Sequence, residues 1–202
     1  HLRMGSKLRA FIAIEVPEKI HNDIRRLQRA VASHRLNIRW VKPVNMHLTI
    51  KFLGDVDPSD MELFGRILSD TAANHPIFDL LPQGVGIFPN IRRPRIIWAG
   101  FAGQTDVLRS IWKSVEDALV PLGFAADKRP YRGHLTIGRI KTHLDQDRLV
   151  TALRIHQVFV SKTFSVERLV MFKSELHPNG PVYTKLLEMP FGISTKHHPN
   201  IS

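Results

Sequence analysis

The tetrapeptide His47-Leu48-Thr49-Ile50 recurs as His134-Leu135-Thr136-Ile137, 87 residues later in a chain of 202. Two core strands of similar composition could share Leu and Ile, but that does not account for a histidine and a threonine at matched positions. Side chains alternate faces along a strand, so each copy sends an imidazole and a hydroxyl to one side and buries two aliphatics behind them. Two such copies facing one groove would supply what attack at phosphorus requires. One imidazole takes a proton from the nucleophile while the other gives one to the leaving oxygen, and both titrate near neutral pH. The two hydroxyls would hydrogen-bond the non-bridging oxygens. This chemistry asks for no metal and no cofactor, and no His-Glu-x-x-His or clustered-carboxylate motif points to one.

The remaining histidines lack that context. His21, His34, His75, His143, His156 and His177 are scattered through expected helices and turns and read as surface or structural residues, and His197 and His198 lie in a polar tail. With no cysteine, the chain has neither a thiolate nucleophile nor a disulfide framework. No apolar run reaches the ~20 residues of a membrane span, and no signal-peptide pattern opens the chain, so a cytoplasmic location is expected. Twenty-nine Lys and Arg against 18 Asp and Glu give a net charge of +11, which favours a polyanionic partner, nucleic acid before membrane. The basic residues gather near the repeats. Arg35, Arg39 and Lys42 precede the first copy, and Lys128, Arg129 and Arg132 precede the second. Arg139 and Lys141 follow the second copy, and Arg92, Arg93 and Arg95 occupy a proline-bounded loop.

The elements that must carry these residues alternate along the chain. "LRAFIAIEVP" reads as a buried strand, and Ile20, Ile24, Leu27 and Val31 recur at helical spacing behind it. "IRWVKP" and "MHLTIKFLG" read as strands, and Asp57-Pro58 opens a second helix. "FDLLPQGVGIFPN" and "PRIIWAGF" add two strands. A helix from Thr105, the second motif strand, a short helix from Asp145 and a final strand pair joined by "HPNG" complete the series. The expected fold class is α+β: two pseudo-symmetric lobes around a central cleft, each an antiparallel sheet with helices on its outer face. The halves 8–100 and 101–190 are expected to correspond to the lobes within a single domain over 8–190. Residues 1–7 read as a tag or ragged start, and 191–202 as a disordered tail.

The paired motifs, "RAFIAIEVP", "FLG" after the first copy, "GR" after the second, "GVGIFPN", "IIWAG" and "GPVYTKL" together resemble the two-histidine (2H) phosphoesterases. Within them the likeness is to the LigT-like RNA 2′,3′-cyclic phosphodiesterases, also called 2′-5′ RNA ligases, and it runs from about Leu8 to Glu188. The resemblance implies a bilobal fold and hydrolysis of 2′,3′-cyclic phosphate RNA ends, tRNA halves among them, to 2′-phosphomonoesters by a monomeric enzyme without a cofactor. It implies catalytic roles for His47 and His134, with Thr49 and Thr136 on the phosphate. His134 would be the base for water and His47 the acid to the 3′-oxygen, although a pseudo-symmetric site permits either assignment. Arg139 matches a phosphate-holding arginine and Phe52 an aromatic that stacks on the terminal base. Each sits five residues after its histidine, where strict alternation turns it to the wrong face unless the strand ends or twists near Gly54 or Gly138.

Two other reactions fit the same site, reversible 2′-5′ ligation and hydrolysis of a small cyclic nucleotide. The basic charge favours a polynucleotide over the small substrate. A non-catalytic RNA-binding module is the reading from another class, and it leaves the paired proton carriers without a purpose.

Overall fold

The computed structural model describes residues 6–192. Strand β1 (Leu8–Glu15) is buried on both faces over Ala10–Ile14, and such a strand must lie inside a sheet. It does so between β3 (His47–Val56) and β8 (Arg168–His177), and β9 (Gly180–Pro190) pairs with the far edge of β8. The second sheet has the order β2-β6-β5-β4-β7, formed by Arg39–Trp40, His134–Arg139, Ile96–Gly103, Phe78–Phe88 and Phe164–Val166. Every described pairing is antiparallel.

Helix α1 (Glu18–Ala32) buries Ile20, Ile24, Leu27 and Val31, the stripe its spacing predicts. Helices α2 (Met61–Ala73) and α3 (Thr105–Leu119) pack on the first sheet, and α1 and α4 (Gln146–His156) on the second. Asp145 caps α4 by accepting from the Arg148 amide at 3.1 Å. One continuous apolar core joins the two sheets: it holds Ile12, Ile14, Leu48 and Ile50 together with Ile97, Ala99, Leu135 and Ile137. No helix among the described residues is long and apolar enough to cross a membrane.

The fold class is as expected, α+β with two lobes, but the sequence halves do not become the lobes. β1 and β3 share a sheet with β8 and β9 from the C-terminal half, while β4 and β5 join β6 and β7. β1 pairs with β3 along one edge and with β8 along the other, and the second pairing brings the C-terminal strands into its sheet. The expected tail also starts too early. Phe191 is buried against Phe78 with centroids 5.9 Å apart, and the Gly192 amide donates to the Ala72 carbonyl. The rest of that tail, and residues 1–5 of the expected tag, lie outside the described residues.

Candidate active site

The two motif strands carry the same irregularity at the same place. In β3, Thr49 pairs with Ala13 and Lys51 with Ile12, so Ile50 is an extra residue with no partner on β1. In β6, Thr136 pairs with Trp98 and Gly138 with Ile97, so Ile137 is the extra residue there. A β-bulge shifts the side-chain alternation by one position. Leu48 and Ile50 point to the core, as do Leu135 and Ile137, and His47, Thr49, His134 and Thr136 take the opposite face. After the bulge, Lys51 and Gly138 are buried while Phe52 and Arg139 emerge on the histidine face. The expectation is that a strand end or a twist near Gly54 or Gly138 turns these two residues; in both strands the bulge does it, with β3 continuing past Phe52 to Val56 and β6 ending at Arg139 itself.

Each bulge is braced from outside its sheet. The Tyr131 hydroxyl donates to the Thr49 carbonyl at 2.8 Å, one residue before Ile50. Gln28, buried on α1, donates from Nε2 to the carbonyls of Ile137 at 2.9 Å and Val41 at 2.8 Å. The Ile137 carbonyl also accepts from the Val41 amide. Beneath the first bulge, the buried Lys51 ammonium pairs with Glu116 of α3 and donates to the Ala125 carbonyl. Glu116 in turn accepts from the Asp127 amide at 3.2 Å. The segment that leads into the second motif is thus tied to the first. Gly133 completes the junction of β3 with β6, because a Cβ there would come within 3.1 Å of Leu48 Cδ1 and 2.7 Å of Leu108 Cδ2.

The two histidines sit in unlike surroundings. His47 lies among aromatic rings, 4.4 Å from the Phe172 centroid, 5.3 Å from Tyr183 and 6.0 Å from Phe11. Its Nδ1 is buried and forms no hydrogen bond. Burial disfavours the imidazolium and holds its pKa down at about 4, from an ordinary 6.5; the Glu15 charge and the nearby Asn45 carbonyl oppose this without cancelling it. His134 is exposed, and its Nδ1–H donates to the Arg132 carbonyl at 3.1 Å, which leaves the Nε2 lone pair free. Phe52 is 73% exposed and 6.0 Å from Phe11, so it stands at the rim of the aromatic patch.

Several site neighbours escaped the sequence reading. Trp98 pairs with Thr136 and lies 6.4 Å from the His134 ring. Its indole covers Gly86, where any Cβ would fall 2.1 Å from Trp98 Cζ2. Alternation in "IIWAG" puts Trp98 on the face opposite Ile97 and Ala99, and that signal was available. Phe11 and Phe172 belong to a second small cluster on the histidine face of the first sheet, with Tyr183 packed against it. Among the other described histidines, His143 and His177 are exposed, and three take structural positions. His75 is buried, donating to the Thr71 carbonyl at 2.7 Å and accepting from Ser110, and His34 and His156 hydrogen-bond each other at 3.0 Å.

Comparison with known proteins places the chain in a family. The family model for "LigT like Phosphoesterase" matches residues 14–98 and 102–183, and the chain belongs to that family. It is 31% identical over 180 residues to an RNA 2′,3′-cyclic phosphodiesterase of Methanothermobacter thermautotrophicus, covering 89% of this chain and 97% of the relative. It is 33% identical to a protein of the same name from Methanocaldococcus jannaschii, covering 90% and 99%. The crystal structure of TT0787 of Thermus thermophilus shares the fold with a TM-score of 0.76 at 24% identity, over 93% of this chain and 100% of that one.

Proposed function

We propose that this protein hydrolyses 2′,3′-cyclic phosphate ends of RNA to 2′-phosphomonoesters. The observation that carries the reading is the pair of identical bulged motifs, each presenting a histidine and a threonine on the same face of its strand. The names of the relatives support the substrate class.

In this reading His134 is the base. Its Nδ1–H is engaged by Arg132, so Nε2 takes a proton from water as the water oxygen bonds to phosphorus. The P–O3′ bond breaks on the opposite side, and His47 gives its proton to the departing 3′-oxygen. Desolvation makes the His47 imidazolium a strong acid, and the anionic cyclic phosphate beside it favours its protonation in the complex. Thr49 and Thr136 donate to the non-bridging oxygens, Arg139 offsets their charge, and Phe52 stacks on the terminal base. Incubation with a 2′,3′-cyclic phosphate RNA end in EDTA tests this. A 2′-phosphomonoester product supports it; an unchanged end, or a 3′-phosphomonoester, contradicts it.

A further inference from the structure

Arg39 on β2 and Arg139 on β6 are direct cross-strand partners. Like charges in that position repel each other. Here the repulsion is compounded, since Arg139 also lines a pocket of about 540 Å³ with Arg93, Arg95, Lys141 and Thr142, and no carboxylate lines it. Among the described residues, none of these five cations has a carboxylate within ion-pair distance.

The backbone that carries the cations is fixed. Asn90 Oδ1 accepts from the Arg92 and Arg93 amides at 3.1 and 3.0 Å, and Gln146 donates to the Arg92 carbonyl at 3.1 Å. The Arg95 amide donates to the Phe88 carbonyl and the Ile140 amide to the Arg95 carbonyl, both at 2.8 Å. Asn37 donates to Thr142 Oγ1 at 3.1 Å, which leaves the Thr142 hydroxyl hydrogen for an acceptor in the pocket. Unpaired cations on a pinned loop are complementary to an anion.

That anion is not the reacting phosphate. His134 and Arg139 pair with Gly100 and Ile96, four residues apart on β5, which is about 13 Å at ~3.3 Å per residue. The Arg139 guanidinium can turn back toward the motif, but Arg93, Arg95 and Lys141 lie on its far side. We propose that this pocket is a second phosphate subsite, which holds an internal phosphodiester of the RNA strand while its cyclic end lies at the paired histidines. The substrate is then an oligonucleotide end in preference to a mononucleoside cyclic phosphate. This rests on the cyclic-phosphodiesterase reading above.

The test compares cytidine 2′,3′-cyclic phosphate with a trinucleotide ending in the same group, on the wild type and on an Arg95→Gln/Lys141→Gln variant. The wild type should favour the trinucleotide in kcat/KM by about tenfold or more, the scale of one charge-assisted hydrogen bond. The variant should lose most of that ratio, through KM, and because one preparation turns over both substrates the ratio is insensitive to partial misfolding. Binding of a fluorescent 2′-phosphorylated trinucleotide gives a readout independent of turnover. Its log–log salt slope should be shallower in the variant by about 0.7 for the phosphate released. An equal substrate ratio in wild type and variant, or an unchanged salt slope, overturns the subsite and leaves the proposed activity standing. A shallower slope in a protein that hydrolyses neither substrate sustains the subsite and overturns the activity.

Discussion

Ile50 and Ile137 are the unpaired residues of two β-bulges, and each directly follows the threonine on the histidine face of its strand. The repeated tetrapeptide is therefore a repeated backbone geometry as well. A histidine, a threonine and a residue five positions after the histidine share one face because the bulge shifts the alternation between them.

The first prediction concerns His47. In the free protein its imidazole should titrate near 4, and binding of inorganic phosphate or a 2′-nucleotide should raise that value. The acid limb of kcat should accordingly lie at higher pH than that of kcat/KM, since these report the bound and free states, and both limbs belong to the coupled pair. The folded pKa lies below the unfolded one, so the unfolded chain takes up the proton first as pH falls. Stability should drop between pH 6.5 and 4 by on the order of 3 kcal/mol, and His47→Gln should lack that component. Histidine NMR titration and urea unfolding measure both effects, and a free His47 titrating at 6.5 would contradict the burial argument.

Lys51→Met should leave the Glu116 carboxylate buried without its cation and cost ~3–5 kcal/mol. A Lys51→Met/Glu116→Leu pair should recover most of that loss in urea unfolding. If the single variant is as stable as wild type, the ion pair does not secure the first bulge.

Tyr131→Phe and Gln28→Leu remove the donors that brace Thr49 and Ile137. Each should cost about 1–3 kcal/mol as a buried carbonyl loses a partner. Each should also lower kcat more than it raises KM, because the motif residues shift while their own side chains remain. Unchanged kcat in both variants would mean the bulges hold their geometry without the braces.

Phe52 and Arg139 show where the sequence was legible and where it was not. Hydrophobic periodicity identified the helices and most of the strands, and residue chemistry singled out His47, Thr49, His134 and Thr136. Alternation alone, however, put Phe52 and Arg139 on the buried face, because an extra residue in a strand leaves no mark in its composition. The exchange of strands between lobes was hidden for a related reason. β1 is buried on both faces over Ala10–Ile14, and that pattern reports cover above and below without saying which strands flank it. Trp98, Gln28 and Tyr131 act through contacts distant in the chain, so local spacing carried little trace of the last two.

Arg139→Ala should reduce turnover well beyond Arg26→Ala. Arg26 lies on the surface of α1 and pairs with Asp23 at 3.3 Å, whereas Arg139 stands on the histidine face of β6. Steady-state kinetics on one cyclic-phosphate RNA decide the matter, and equal losses would reduce Arg139 to diffuse positive charge.

The most direct measurement is single-turnover hydrolysis of a 2′,3′-cyclic phosphate RNA end, in EDTA, by His47→Ala, His134→Ala and the double variant. Each single variant should lose about 10²–10⁴-fold, the contribution of general acid–base catalysis. The double variant should be little slower than the worse single, because the two residues act as one unit. Binding of the 2′-phosphorylated product should survive in all three. Near-normal turnover by either single variant would contradict the two-histidine account and leave the repeated motif as two similar strands of the core.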